Sequence, residues 1–381
     1  MIYLDNSATT RVLPAAADAA RAAMTENFYN ASSAYAPAVS LSRTVEEARK
    51  RLAGAIGHEA EEVYYTSGGT ESNNTAIFGT LSPIRGKKRI ITCMTEHPSV
   101  YGVYQALQGK PDVEVVFIGT DRTGAASMEE LEAALSPDTA LVSLMHVNNE
   151  TGAVTDIHGA YTRIRRLAPN ALFHVDGVQA FCKLPFSAVP CDMYTVSAHK
   201  FHAPKGVGAL YVRKGVRFGG GLIGGGQERG VRSGTVNAPG ILGMDAALSE
   251  YRAHQGEWMA SMRRCKERLA ENLLALPDAL VNGPSVEEGA GHILNVSFLG
   301  VGGEVLLNAL SERGVCVSTG SACSAHKKGK NRVLTATGIT GPRQDGAIRF
   351  SFCPFNTPEE MDTVAGMIGE LVPYLRRFQR R

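Results

Sequence analysis

The sequence lacks the features that mark membrane, secreted and nucleic-acid-binding proteins. No apolar run reaches the roughly 18 residues that a membrane-spanning helix needs, and the mean hydropathy is −0.08. The N-terminus has no basic segment followed by an apolar core, so we expect no secretory signal. Lysine and arginine number 39 against 37 aspartates and glutamates, a net charge of +2. We therefore expect neither nucleic acid nor a membrane as a partner.

Cysteine pairs and internal repeats are also missing. The seven cysteines are an odd number, widely scattered and without any CxxC pair. This argues against a disulfide framework or a zinc ribbon, and predicts a reducing, cytoplasmic location with no metal site. The absence of an internal repeat argues against a solenoid. With 44% hydrophobic and 20% charged residues, the composition is that of a globular protein that buries its own core.

Short β-branched runs alternate with segments of helical spacing between about residues 60 and 215. The strand candidates are residues 89–92, 113–118, 140–147, 171–175 and 193–196. Helical candidates include residues 127–135 and 157–167, and residues 44–56 form another upstream. The alternation predicts an α/β fold with a mostly parallel central sheet. Functional residues should then lie just beyond the carboxyl ends of the strands.

The pattern changes after a glycine-dense loop at residues 218–226. A long helical pattern covers about residues 240–276, and new strand candidates follow at residues 293–298 and 347–352. We predict a large α/β domain over residues 14–255. A smaller C-terminal α+β domain would comprise residues 256–381 together with the N-terminal residues 1–13.

Two charged residues follow neighbouring strand candidates. Lys200 ends the segment Ser-Ala-His-Lys after residues 193–196, and Asp176 ends the strand candidate before it. A lysine among apolar neighbours can become nucleophilic, and a buried carboxylate beside it can keep a pyridine nitrogen protonated. That pair is what pyridoxal phosphate requires. Each residue taken alone also fits an ordinary role, as a solvated charge or a turn aspartate.

The segment Thr-Ser-Gly-Gly-Thr-Glu-Ser at residues 66–72 lies between an apolar run and a helical candidate at residues 74–79. Glycines let backbone N–H groups approach an anion, and a helix N-terminus adds its dipole. The segment matches neither a Walker motif nor GxGxxG, so a small phosphate monoester fits better than a nucleotide. An ordinary glycine turn is the alternative.

Several further candidates occupy similar positions. His97, Asn149 and Gln179 each follow a strand candidate. An imidazole there could cover a cofactor ring or shuttle protons, whereas the amides could bind a ring substituent or simply make turns. Cys323 differs from the other cysteines because its neighbours are small and polar and the stretch at residues 326–330 is basic. Nearby cations favour the thiolate form.

Together these segments resemble the pyridoxal-phosphate-dependent cysteine desulfurases, the NifS- and IscS-like branch of the class V aminotransferase superfamily. The resemblance spans nearly the whole chain. Its markers are YLDNSATT (3–10), TSGGTESNN (66–74), TEH (95–97), HVNNETG (146–152), HVDGVQ (174–179), SAHK (197–200), GGGQERGVRSGT (224–235), STGSACS (318–324) and IRFS (348–351). It implies the type I fold of such enzymes, with a small C-terminal domain that carries a catalytic cysteine loop.

The resemblance also implies a role for each site residue. Lys200 would bind the cofactor covalently, Asp176 would pair with its ring nitrogen, and His97 would stack on the ring and transfer protons. Arg349 would bind the substrate carboxylate, a bidentate task that suits a guanidinium group. Cys323 would accept the sulfur. The other implied cofactor contacts are Gly69, Thr70, Asn149, Gln179, Ser197, His199 and, from the second subunit of a homodimer, Thr235.

The implied reaction converts L-cysteine to L-alanine and leaves the sulfur on Cys323 as a persulfide. An acceptor protein would then receive it, either an iron–sulfur scaffold or an enzyme of tRNA or cofactor thiolation. A selenocysteine lyase or a class V aminotransferase is the alternative within this chemistry, although transamination does not need Cys323. The non-enzymatic alternative is an adaptor that retains the fold, which the presence of Lys200, Asp176, His97 and Cys323 argues against.

Overall fold

The computed structural model describes residues 1–320 and 331–378. Its strands are β1 (Ile2–Tyr3), β2 (Val63–Thr66), β3 (Lys88–Cys93), β4 (Val113–Ile118), β5 (Thr139–Met145), β6 (Leu172–Asp176), β7 (Met193–Ser197), β8 (Gly208–Val212), β9 (Ala279–Val281), β10 (Ile293–Phe298), β11 (Val315–Cys316) and β12 (Ala347–Ser351). Its helices are α1 (Pro14–Thr25), α2 (Ala36–Ala55), α3 (Gly69–Leu81), α4 (Pro98–Leu107), α5 (Met128–Ala134), α6 (Ile157–Leu167), α7 (Ala238–Leu274), α8 (Gly303–Glu312), α9 (Arg332–Ala336), α10 (Pro342–Asp345) and α11 (Pro358–Arg376).

The central sheet has seven strands in the order β2-β8-β7-β6-β5-β3-β4. Strands β4, β3, β5, β6 and β7 pair in parallel, and β8 runs antiparallel to both β7 and β2. The expectation of an α/β fold with a mostly parallel sheet is confirmed. Because the parallel strands end at the same edge, the polar residues that follow β3, β5, β6 and β7 meet there.

Most predicted elements lie where their sequence patterns indicate, and the differences have local causes. The predicted helix at residues 74–79 is the middle of α3, which already begins at Gly69 after Gly68 with φ 145°. The strand predicted at residues 140–147 corresponds to β5, which ends at Met145. Val147 instead forms an isolated antiparallel bridge with Val154. Gly69 indicates a turn although it begins a helix, and Val147 indicates a continuing strand although β5 has already ended.

Two large clusters of buried apolar side chains form the interior. The first lies between the central sheet and helices such as α2, α6 and the start of α7, and includes Trp258. The second packs β10 and β12 against α8, α11 and the end of α7, and Leu4 joins it from the N-terminus. The domain boundary predicted between residues 255 and 256 falls within α7 and stays a prediction. Among the residues that the structure describes, no helix is long and apolar enough to cross a membrane.

A buried ion pair attaches the glycine-rich loop to α2. Arg49 contacts Glu228 through two bonds, Nη1 to Oε2 at 2.7 Å and Nη2 to Oε1 at 2.9 Å, and the two side chains are only 4% and 6% exposed. Glu228 Oε2 also accepts from the backbone N–H of Tyr65. Glu228 and Arg229 both adopt positive φ, 46° and 53°, which non-glycine residues rarely do. The ion pair therefore holds a strained turn in place.

We expect Arg49→Met to lower the free energy of unfolding by about 3 kcal/mol, because it leaves the Glu228 carboxylate buried without its partner. The loss would be measured by urea denaturation. Arg51→Met is the matched control on the same helix, since Arg51 pairs with Asp245 but is 43% exposed. Its loss should stay below about 1 kcal/mol. Equal losses in the two variants would contradict the role given to the buried pair.

Candidate active site

A cavity of about 290 Å³ lies at the carboxyl ends of β5, β6 and β7. The N-terminal turn containing Ser7 and Ala8 forms part of its wall. Ten of the residues predicted from the sequence line it: Gly69, Thr70, His97, Asn149, Asp176, Gln179, Ser197, His199, Lys200 and Arg349. Thr235 lines a different cavity of about 100 Å³. Cys323 lies outside the described residues.

Lys200 lies in a short 3-10 turn directly after β7. Its Nζ donates to the carbonyl of Ser7 at 2.6 Å and to that of Ala8 at 2.9 Å. Further bonds join the same two segments, from Thr10 N–H to the His199 carbonyl and between Thr9 Oγ1 and His199 Nδ1. The N-terminal segment thereby places polar backbone groups around the lysine amine.

Asp176 is the last residue of β6 and is 3% exposed. Its Oδ2 accepts from Asn73 Nδ2 at 2.8 Å and its Oδ1 accepts from the Val178 N–H at 3.0 Å. Both carboxylate oxygens therefore have a donor, which fixes the plane of the group. A carboxylate held in this way can stabilise a positive charge on a bound ligand.

His97 caps the N-terminus of α4 and connects to Asp176 through two side chains. Its Nδ1 lies 2.7 Å from Ser99 Oγ and accepts from the Ser99 N–H at 3.2 Å. Asn73 Nδ2 donates both to Ser99 Oγ and to Asp176. Burial lowers the pKa of His97, against the opposing effect of Asp176. The imidazole is thus neutral near pH 7, and the bonds at Nδ1 assign the ring hydrogen to Nε2.

The start of α3 forms another wall of the cavity. Gly69 and Thr70 supply N–H groups from the first turn of this 13-residue helix, where such groups have no partner within the helix. A Cβ at Gly69 would lie 2.9 Å from Val178 Cγ2, so glycine allows this close approach. Ser197 and His199 also line the cavity, and burial lowers the pKa of His199 to about 4. These neutral donors and the helix dipole suit a phosphate group.

Arg349 lies in β12 and is 2% exposed. Its Nη2 donates to Asp5 Oδ1 at 2.7 Å and its Nη1 donates to the carbonyl of Asn149 at 3.0 Å. Its Nε is buried and has no partner among residues 1–320 and 331–378. The guanidinium group is therefore held in a defined orientation at the cavity, with donor capacity left for a carboxylate ligand.

The structure adds four residues that sequence reasoning missed. Asp5 and Ser7 belong to the motif YLDNSATT, and Asn73 belongs to TSGGTESNN, so the motifs contained a signal for them. Ser99 follows TEH after one proline and carried no such signal. Within the part of the chain that the structure describes, Ser7 Oγ and Asn73 Oδ1 are buried without a partner, like Arg349 Nε. Unpartnered polar atoms are costly in a protein interior, and three at one cavity indicate a polar ligand.

Comparison with known proteins agrees with this geometry. The family model described as aminotransferase class V matches residues 2–364. The chain is 40% identical to the cysteine desulfurase of Trichormus azollae over 99% of this chain and 94% of that protein. It is 39% identical to the cysteine desulfurase IscS of Methanosarcina thermophila, with 99% and 93% covered. A solved structure of a NifS-like protein superposes with a TM-score of 0.91 at 35% identity, covering 98% of this chain and all of that one. The chain belongs to the aminotransferase class V family, and within it to the cysteine desulfurases.

Proposed function

We propose that the protein is a pyridoxal-phosphate-dependent cysteine desulfurase, which converts L-cysteine to L-alanine and transfers the sulfur to Cys323. The observation that carries the proposal is the presence of Lys200, Asp176 and Arg349 around one cavity. A nucleophilic amine, a charge-stabilising carboxylate and a carboxylate-binding guanidinium are the groups that this reaction on an amino acid needs. The relatives named above as cysteine desulfurases support the choice of substrate.

The residues of the cavity fit pyridoxal phosphate. Lys200 would hold the cofactor covalently, and Asp176 would face its ring nitrogen. The phosphate would bind at the start of α3, with Ser197 and His199. Ser7 Oγ and Asn73 Oδ1 are both buried and have no partner among the described residues, so they are available to polar atoms of the cofactor or substrate. His97, Asn149 and Gln179 line the rest of the cavity.

When bound, pyridoxal phosphate supplies an electron sink for negative charge at the substrate Cα. With the cofactor bound, the negative charge of Asp176 would favour the protonated ring nitrogen. His97 holds a proton at Nε2, since Nδ1 accepts from Ser99. Arg349 binds the substrate carboxylate and so orients the amino acid, while Asp5 and the Asn149 carbonyl keep the guanidinium in place.

The sulfur step involves Cys323. The Cβ–S bond of L-cysteine breaks, and an S–S bond forms between the substrate sulfur and the Cys323 thiolate. A proton is added to the same Cβ, which becomes the methyl carbon of L-alanine. L-Cysteine and the Cys323 thiol thus give L-alanine and a Cys323 persulfide, with no further oxidant or reductant. Ser318 and Arg349 exchange backbone hydrogen bonds, so the chain enters the segment with Cys323 beside the proposed substrate-binding residue.

The test is alanine formation from L-cysteine in the presence of dithiothreitol. Wild type should form alanine, and Cys323→Ala should form it roughly 10- to 100-fold more slowly, because a free thiol replaces a tethered one. Cys316→Ala, a substitution of a partly buried cysteine in β11, is the control and should keep wild-type activity. If Cys323→Ala forms alanine as fast as wild type does, the persulfide role of Cys323 is ruled out. If wild type forms no alanine from L-cysteine, the proposed desulfurase function is rejected.

The proposal extends to a cytoplasmic homodimer that passes its sulfur to an acceptor protein, an iron–sulfur scaffold or a thiolation enzyme. The family resemblance supports the dimer, since it assigns Thr235 to the phosphate of the second subunit, and within one chain Thr235 lines a cavity separate from the one with Lys200. In a dimer it could reach the phosphate site of the second copy.

A further inference from the structure

Lys183 is a buried cation for which the reaction above has no use. The residue comes after β6 in the chain and is 4% exposed. It forms no ion pair within the described part of the chain. Burial and the charge of Lys200 lower its pKa to about 7, and Arg349 adds to the repulsion, against smaller opposing effects of the thiols of Cys182 and Cys353. Burying such a group is costly unless hydrogen bonds or an opposite charge compensate for the lost hydration.

The hydrogen bonds of Lys183 lead directly to the cavity. Its Nζ donates to Gln179 Oε1 at 3.1 Å, and Gln179 Nε2 in turn donates to the carbonyl of Ser7 at 3.0 Å. That same carbonyl accepts from Lys200. Charged lysine has only donors at Nζ, neutral lysine has two donors and one acceptor lone pair, and a carbonyl only accepts. The Gln179 amide is therefore held between a donor and an acceptor.

These two partners allow one orientation of the amide. In the flipped orientation the Gln179 NH₂ group would face the Lys183 donor, and its oxygen would face the Ser7 carbonyl oxygen. The contact of the two oxygens would be repulsive, and so would the contact with Lys183 whenever its amine is charged. In the observed orientation Nε2 uses one hydrogen for Ser7 and keeps the other, and Gln179 lines the cavity. The amide thus offers an N–H group, and not an oxygen, to a ligand.

We propose that Lys183 is a positioning residue for the cofactor: it orients the Gln179 amide so that an N–H group faces the phenolic oxygen of the pyridoxal ring. The inference rests on the proposed function for the identity of the cofactor. A donor at this place stabilises the ionised phenolic oxygen, and an amide oxygen would repel it. Lys183 acts only through Gln179 and does not touch the ligand.

The test uses Lys183→Met, which removes the donor and keeps an unbranched side chain that is one atom shorter. The protein is loaded with cofactor, and its visible absorption is titrated with pH. Cofactor dissociation is measured separately by stripping and reloading. We expect the pH midpoint of the visible band to rise and the cofactor to bind about 3- to 10-fold more weakly, the value of one lost hydrogen bond.

Lys266→Met is the matched control. Lys266 is 2% exposed, donates to the Ala290 carbonyl at 3.1 Å, and has its pKa lowered to about 8 mainly by burial. Both methionine variants should change the melting temperature, but only Lys183→Met should change the absorption band. Equal spectra for wild type and both variants would show that Lys183 is merely structural and overturn the inference.

A double-mutant cycle tests whether Lys183 acts through Gln179. In a Gln179→Ala background, Lys183→Met should no longer affect the pH midpoint, and a full additive effect would contradict the inference. If Lys183→Met does not fold, Gln179→Glu serves in its place, since it keeps an acceptor for Lys183 but removes the N–H donor. Its midpoint should rise, and an unchanged midpoint counts against the inference. If wild-type protein binds the cofactor but forms no alanine, the proposed function is rejected and the inference about Lys183 is not affected.

Discussion

Lys200→Ala is expected to reduce alanine formation from L-cysteine at least about a thousandfold, as is usual when a group that forms the covalent intermediate is removed. Lys200 Nζ is the amine that the turn at Ser7 and Ala8 holds at the cavity. No other lysine lines this cavity within the described residues, so no neighbouring amine can replace it. The rate would be measured by quantifying alanine, and cofactor attachment by the visible absorption band.

Lys205→Ala is the matched control for this variant. Lys205 lies a few residues further along the chain with its side chain exposed to solvent. The control should keep both the absorption band and the activity. If Lys200→Ala also kept them, the amine of Lys200 could not be the attachment point, and the cavity would have to serve another ligand.

Asp176→Asn is expected to lower the rate of alanine formation by about 10²- to 10³-fold. The substitution keeps the size of the side chain but removes the negative charge that would hold a proton on the cofactor ring. It also places an amide where Asn73 Nδ2 and the Val178 N–H now donate to oxygen, so one of these bonds becomes a donor–donor contact. The rate should be measured with saturating cofactor, because weaker binding would otherwise contribute.

Asp192→Asn is the control for this variant. It removes a buried carboxylate away from the cavity, so it shows the effect on stability without the loss of charge at the site. Asp192 is 1% exposed and pairs with Arg165 and Arg213, away from the cavity. The variant should lower the melting temperature and leave the cofactor spectrum unchanged, whereas Asp176→Asn should alter the spectrum. If the two variants lose activity in proportion to their loss of stability, the proposed role of Asp176 is wrong.

Much of the fold could be predicted from local patterns. The spans of β4, β10 and α6 coincide with their sequence patterns, because apolar periodicity reports which face of an element is buried. The start of α3 was missed, since glycine at residues 68 and 69 indicates a turn by its intrinsic preference. In the folded chain the same glycines begin a helix that packs closely against Val178.

The candidate site likewise contains residues that the sequence predicts and residues that only the folded chain reveals. Lys200, Asp176 and His97 could be selected because each lies at or just beyond the end of a strand, and parallel strands end at a common edge. Their partners could not be derived in this way. Asp5 approaches Arg349 from the other end of the chain, and Asn73 joins Asp176 to Ser99 only after three segments have packed together.

The sequence by itself determined the α/β pattern, the polar residues at strand ends and the family to which the chain is similar, since these depend on the order and spacing of residue types. Only the tertiary structure decided how the donors and acceptors are paired. In the Lys183–Gln179–Ser7 connection, Gln179 and Ser7 are 172 positions apart in the sequence. Such contacts follow from burial, because interior polar groups must find partners wherever packing brings them together.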